Sequence, residues 1–229
     1  MLRLPGTYRA QGDTSLLAET VRRRGVVAGS RVLDVGTGWG ALALAAVRAG
    51  ARSVTAVDLS VRSVVSARVN ALLHRAPLEV RRGDLFTPVR GRPFDVVLAN
   101  PPYVPAETET LPRHRPGRSW DAGRDGRAVI DRICAEVASV LVPGGRLLMV
   151  HSVLAGEERT LEQLRQRGFE AAVVARADEP FGPVMRARAA VLRARGLLQA
   201  GQVHEELVVV EARAVHSSAG AGGGVEGVA

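Results

Sequence analysis

Residues 31–40 constrain this chain more than any other stretch: Arg31, Val32, Leu33, Asp34 and Val35 run straight into Gly36, Thr37, Gly38, Trp39 and Gly40. The first five read as a short apolar strand. Three glycines at alternate positions then permit a tight turn and a close approach of ligand to backbone. Residues 41–49 carry apolar side chains at helical spacing, so the turn delivers the chain into a helix whose first N–H groups have no partner within the helix. A strand, a glycine turn and a helix in that order form the opening unit of an α/β sheet. Alone the triplet is ambiguous, since such turns also serve ordinary strand-to-helix packing.

The rest of the chain repeats the alternation. Residues 53–57, 78–82, 94–99 and 146–150 read as further strands, and residues 62–73, 126–141 and 157–167 as helices. Parallel strands need crossover connections, so strands alternating with helices predict a parallel sheet covered on both faces. Two last strands, at residues 169–176 and 206–213, are separated only by an arginine-rich segment with a short helix near residues 185–195, and they predict an antiparallel pair at the edge. The expected fold is therefore α/β: a Rossmann-like, seven-stranded, doubly wound sheet, mostly parallel with an antiparallel edge pair.

The chain's 229 residues suffice for one good core. The expected organisation is an N-terminal strap and helix over residues 1–29, one domain over residues 30–215, and a disordered glycine- and alanine-rich tail over residues 216–229. No segment approaches the roughly 18–20 apolar residues of a membrane helix, and the start lacks the apolar run of a secretory signal, so a cytoplasmic protein with no membrane role is expected. Cys134 has no cysteine partner and reads as a buried apolar residue, while the five histidines show no ligand-like spacing, so no metal is expected. The net charge of +8 comes from arginine alone, without a single lysine. That is what a GC-biased coding sequence produces, and it leaves RNA as an open partner without arguing for it.

Polar residues recur where an open α/β sheet places its ligand, at the C-terminal ends of successive strands. Gly36, Thr37, Gly38 and Gly40 follow the first strand. Asp58 ends the second, with Leu59 beside it, where a carboxylate can accept hydrogen bonds from ribose hydroxyls. Asp84 follows the third, placed to bond an adenine amino group, with Leu85 to cover the ring. A nicotinamide dinucleotide is the obvious rival, but the glycine spacing departs from the Gly-x-Gly-x-x-Gly fingerprint. The pattern of glycines with Asp34, Asp58 and Asp84 resembles the class I S-adenosylmethionine-dependent methyltransferases, which implies S-adenosyl-L-methionine as cofactor and adds Asp34 to its site.

The fourth strand runs into Asn100, Pro101, Pro102 and Tyr103. Methylating an amide or aromatic amine requires turning a delocalised nitrogen lone pair out of conjugation toward the methyl donor. Acceptors for its two N–H groups achieve this, and the Asn100 side-chain oxygen and Pro101 carbonyl supply them while stabilising developing positive charge. The prolines stiffen the loop and carry no competing N–H. Tyr103 is placed to stack on a planar target.

These residues resemble the HemK-like glutamine methyltransferases that modify a Gly-Gly-Gln loop of translation release factors. Tyr8, Asp13 and Thr14 are similar to that family's N-terminal segment, which implies that Thr14 lies at the cofactor. Trp120 to Arg127 resembles the stretch after its acceptor loop, with a helix starting near Asp125. The resemblance is to the short branch lacking the bacterial N-terminal helical domain, and it implies a release factor as substrate and, for some members, a small zinc-binding partner subunit. The same acceptor loop occurs in amino methyltransferases of DNA and RNA, and a small-molecule amine is a third acceptor class. Arginines in residues 113–127 and 186–195 would then face phosphates. A subunit that binds cofactor without activity is the non-enzymatic alternative, and the intact Asn100 loop speaks against it.

Overall fold

The computed structural model of the protein describes residues 12–106 and 122–215. Its elements in chain order are α1 (Gly12–Arg24), β1 (Arg31–Val35), α2 (Ala41–Arg48), β2 (Ser53–Asp58), α3 (Val61–Leu73), β3 (Leu78–Arg82), β4 (Phe94–Ala99), α4 (Ile130–Glu136), β5 (Leu141–Ser152), α5 (Glu157–Arg165), β6 (Phe169–Pro180), α6 (Pro183–Ala194) and β7 (His204–Ala214). The strands form one sheet in the order β3-β2-β1-β4-β5-β7-β6. β1 to β5 are parallel, and β7 runs antiparallel between β5 and β6. The antiparallel pair expected at the edge is present; the reversed strand is the inner one, and β6 takes the edge.

Central strands buried on both faces have no room for polar alternation, which is why β1 and β4 are nearly continuous apolar runs. Successive residues feed opposite cores. Val32, Val96, Leu98 and Leu148 pack with Leu17 and Val21 of α1, Leu42 of α2 and Val64 of α3. Leu33, Val97, Leu147 and Met149 pack with Ile130 and Ile133 of α4, Leu161 and Leu164 of α5, and Met185 and Leu192 of α6. Cys134 lies fully buried in this second core, where desolvation pushes its thiol up to about 11.

Among the boundaries that differ from the sequence expectation are the α4 and β5 boundaries. The helix expected over residues 126–141 is α4 alone, followed by a 3-10 turn at Val137–Ser139. Gly126 at φ +77° breaks the helical path, and the Asp125 carboxylate accepts the Arg127 N–H before the helix proper begins. β5 starts at Leu141 rather than residue 146, because Pro143, Gly144 and Gly145 are taken up in an irregularity between the Phe94 and Val96 pairings. Tyr8 and the expected tail over residues 216–229 lie outside the described residues.

Candidate active site

Strand order reverses between β1 and β4, so the loops after these strands diverge and open a cleft at their C-terminal ends. On one side lies the glycine turn. The Gly36 and Thr37 N–H groups donate to the Val57 carbonyl of β2, at 2.9 and 3.0 Å. The Gly38 N–H donates to Asp58 Oδ2 at 2.9 Å, and the Ser60 N–H to its Oδ1 at 2.7 Å. A Cβ built at Gly36 or Gly38 meets nothing within 4 Å. The turn therefore borders open space that a side chain would fill, as a cofactor cradle requires.

Asp34 is wholly buried beneath this turn. Its Oδ2 accepts from the Thr37 hydroxyl at 2.6 Å and from the Ala43 N–H of α2 at 3.0 Å, while Oδ1 has no hydrogen-bond partner among the described residues. Desolvation pushes its carboxyl up to about 7 against the lowering effect of those two bonds. Asp34, expected at the cofactor, is thus placed as a strut joining β1, the turn and α2, and Gly40 as the left-handed residue entering α2.

The third loop is held differently. The Asp84 carbonyl accepts the Thr87 N–H at 3.0 Å, and the Pro88 ring fills the space that a Cβ at Gly83 would occupy. Leu85 adopts φ +44°, a left-handed conformation that costs a leucine on the order of 1 kcal/mol, and the buried Phe86 beside it anchors the turn. Both Asp84 oxygens are engaged by Arg132 of α4, at 3.2 and 2.8 Å. Arg132 escaped the sequence reading because, in a chain whose every cation is arginine, one more on a helix carries no signal. Leu59, by contrast, is exposed at the rim beside Asp58.

Across the cleft, the loop after β4 is tied to the N-terminus of α1. Asp13 accepts from the Thr14 N–H and hydroxyl through Oδ1, at 2.5 and 3.3 Å, and from the Tyr103 hydroxyl through Oδ2 at 3.1 Å. Thr14 Oγ1 in turn accepts from Asn100 Nδ2 at 3.0 Å. Direction matters here. A carboxylate only accepts, so the Thr14 proton points to Asp13 and its oxygen must receive the Asn100 amide N–H. The Asn100 oxygen is left facing away from α1 as an acceptor for something else. Thr14, expected at the cofactor, is placed here as the residue that orients Asn100, and Tyr103, expected to stack on a target, is only 8% exposed.

The loop is also clamped from its far side. Arg188 Nη1 donates to the Pro105 carbonyl at 3.0 Å; Arg195 donates to the carbonyls of Ala106 and Arg124, at 3.0 and 2.6 Å. Ala106 and Gly123 bond backbone to backbone at 2.8 Å, and a Cβ at Gly126 would lie 2.4 Å from the Tyr103 carbonyl oxygen. Arg127, almost fully buried, donates to the Ala155 and Gly156 carbonyls, Thr160, Asp131 and Gln163. Arg186 and Arg193 likewise donate to backbone carbonyls. These five arginines of the segments considered for phosphate binding serve as internal fastenings.

A seven-stranded sheet of this order, with a glycine cradle on one side of its cleft and a rigid Asn-Pro-Pro-Tyr loop on the other, defines a methyltransferase of class I that uses S-adenosylmethionine. Known proteins agree. Residues 7–112 match the family model described as "Methyltransferase small domain". A relative in Methanocaldococcus jannaschii that bears the name "Putative protein N5-glutamine methyltransferase" is 33% identical over 181 residues, covering 79% of this chain and 90% of its own. The release factor glutamine methyltransferase of Gloeobacter violaceus is 43% identical over 149 residues, covering 61% of this chain and 51% of its own. The chain thus spans about half the length of that bacterial relative and most of the archaeal one. Among solved structures, the E. cuniculi Mtq2–Trm112 complex gives a TM-score of 0.63 at 23% identity, covering 91% of this chain and 99% of that one. The T. thermophilus 16S rRNA N2 G1207 methyltransferase, solved with AdoMet and guanosine, gives 0.61 at 21%, covering 93% and 46%. Both share the fold. The protein belongs to the HemK-like glutamine N5-methyltransferase family.

Proposed function

We propose that the protein transfers a methyl group to the side-chain amide nitrogen of a glutamine in a protein of the translation release factor class. The observation that carries this reading is the directed chain from Asp13 through Thr14 to Asn100, which presents an amide oxygen, not an amide N–H, to the acceptor. An NH2 group on the target needs acceptors, and the Asn100 oxygen with the Pro101 carbonyl supply two on a loop with little freedom to move. S-adenosylmethionine supplies the electrophilic methyl when bound. The chain's own part is to hold the amide nitrogen in line and to stabilise the positive charge that develops on it, which is electrostatic and positional work. No strong general base is required, because the nitrogen's proton becomes very acidic once methylated.

Residues Gly36 to Gly38, Asp58 with Leu59, and Asp84 with Leu85 would line the cofactor. Asp34 would act from beneath through Thr37 and α2. The archaeal and bacterial relatives bear names that concern glutamine, and this favours a protein acceptor over RNA. So does the engagement of Arg127, Arg186, Arg188, Arg193 and Arg195 with internal groups. The experiment is to incubate the full chain with methyl-labelled S-adenosylmethionine and, separately, release factor or total RNA. Label on the glutamine of the Gly-Gly-Gln loop is expected, and label on RNA with none on release factor would overturn the reading.

A partner subunit belongs to the same proposal. Val61, Val65, Leu72 and Leu73 stand exposed on α3, the last two at 79% and 65%, with Leu59 close by in sequence. An apolar strip of this kind marks an interaction surface, and the E. cuniculi neighbour in the same fold is solved with a second chain. A small zinc-binding subunit seated on α3 would leave the cleft open. Its addition should raise turnover, and Leu72→Glu should abolish that response without changing the lone chain's activity.

A further inference from the structure

The Gly83–Pro88 turn has a fixed backbone but a side chain whose position depends on one distant residue. Pro88 against Gly83, the Asp84–Thr87 bond and buried Phe86 hold the main chain, and the left-handed Leu85 shows that the turn is held firmly enough to carry strain. The Asp84 carboxylate is steered by Arg132 alone among the side chains hydrogen-bonded to it, with one guanidinium N–H on each oxygen. As a contribution to stability this half-exposed pair counts for little, since such pairs are typically worth about 0–1 kcal/mol. Its geometry is more informative. A bidentate fork fixes the plane of a carboxylate, and each oxygen keeps a second lone pair directed away from the guanidinium.

We propose that Arg132 is a positioning residue for nucleobase specificity: by locking the plane of Asp84 it aims a lone pair at the 6-amino group of the cofactor's adenine and thereby excludes a 6-oxo base. This rests on the reading above that Asp84 faces adenine. An amino group donates to a carboxylate, whereas a carbonyl at the same place sets oxygen against oxygen. The discrimination depends on the carboxylate being unable to turn aside, and a freely rotating Asp84 would swing to water and relax it. Arg132 also supplies positive charge that lets Asp84 lose solvent at the ring's edge at lower cost. The Arg132 guanidinium is held above its ordinary pKa, first by its hydrogen bonds to Asp84, so the fork is charged at every relevant pH.

The test compares binding of S-adenosylmethionine and its inosyl counterpart, in which oxygen replaces the 6-amino group, to the full-length chain by calorimetry. Wild type should prefer the adenosyl form. Arg132→Ala should weaken adenosyl binding by about tenfold and leave inosyl binding nearly unchanged, so that the preference collapses. Arg132→Lys, which restores charge without the planar fork, should recover only part of it. A merely structural role would weaken both ligands together, and that result, or an unchanged preference in Arg132→Ala, overturns the proposal. If wild type itself shows no preference, the placement of Asp84 against adenine fails first.

Discussion

The two sides of the cleft are built by opposite means. Apart from Arg132 on Asp84, the cofactor side is assembled from neighbours in sequence: Asp34 bonds Thr37 and Ala43, three and nine residues away, and Asp58 bonds Gly38 at a separation of 20. The acceptor side is assembled from strangers. Asn100 meets Thr14 at a separation of 86, Tyr103 meets Asp13 at 90, and Arg188 and Arg195 reach Pro105 and Ala106 at 83 and 89. A cradle made locally forms wherever its strand and helix form. A loop held at four distant points forms only when the whole domain is folded, and its geometry can be altered from elements that never touch the substrate.

The strongest way to break this contrast is at Asn100. Asn100→Ala should lower methyl transfer by about a hundredfold while calorimetry finds cofactor affinity nearly intact, because only the acceptor side is changed. Equal turnover in the two proteins would remove Asn100 from the chemistry. Next comes Arg195→Ala, which frees the carbonyls of Ala106 and Arg124 and should lower kcat roughly tenfold with little change in cofactor affinity. A loss of cofactor affinity instead would show that the two sides are not separable. Gly126→Ala should cost about 2 kcal/mol in thermal or denaturant unfolding, since it places a Cβ against the Tyr103 carbonyl at a positive φ. Gly36→Ala, also at positive φ but facing open space, should cost less stability and appear chiefly as weaker cofactor binding.

Each side also hides one desolvated carboxyl, and their titration sharpens the comparison. Burial pushes Glu205 up to about 7, aided by the nearby charges of Asp13 and Glu179 and opposed by a hydrogen bond with Ser152; burial likewise raises Asp34 to about 7. A carboxyl raised in the folded state binds more protons there than in the unfolded chain. Its stabilising effect is therefore complete below the unfolded value near 4.5 and is lost as pH rises through about 7. Glu205→Gln should thus stabilise the protein by roughly 1–2 kcal/mol at pH 8 and by almost nothing at pH 4, read from unfolding midpoints at the two pH values. A uniform gain at both would show that the titration of Glu205 is not coupled to folding.

The same contrast explains what could be read from sequence. β1, β3 and β4 have the residue ranges that their apolar runs imply, and Gly36, Asp58 and Asp84 stand at strand ends because strand and turn are coded locally. α4 came out shorter than its apolar spacing suggests because Gly126, Asp125 and the inward-turned Arg127 reserve the preceding residues for the acceptor loop. Asn100 was legible as chemistry, but the orientation of its amide was not, since that depends on a proton held between Thr14 and Asp13. Arg132 was invisible, and the clamping role of Arg188 and Arg195 (read from sequence as phosphate contacts) was not legible, for another reason: pairing over long separations leaves no periodic trace, and thirty-one arginines without lysine make no single one stand out.

The slot occupied by β7 has a consequence for how the molecule comes into being. A strand inserted between β5 and β6 must arrive after both have been synthesised, and until it does β6 has nothing to pair with. α6 and the Arg195 that follows it are carried on the same connection, so Arg188 and Arg195 reach the loop after β4 at the same late moment. On a ribosome the glycine turn after β1 emerges long before the loop after β4 can gain its fastenings from Arg188 and Arg195, so the far half of the domain is secured last.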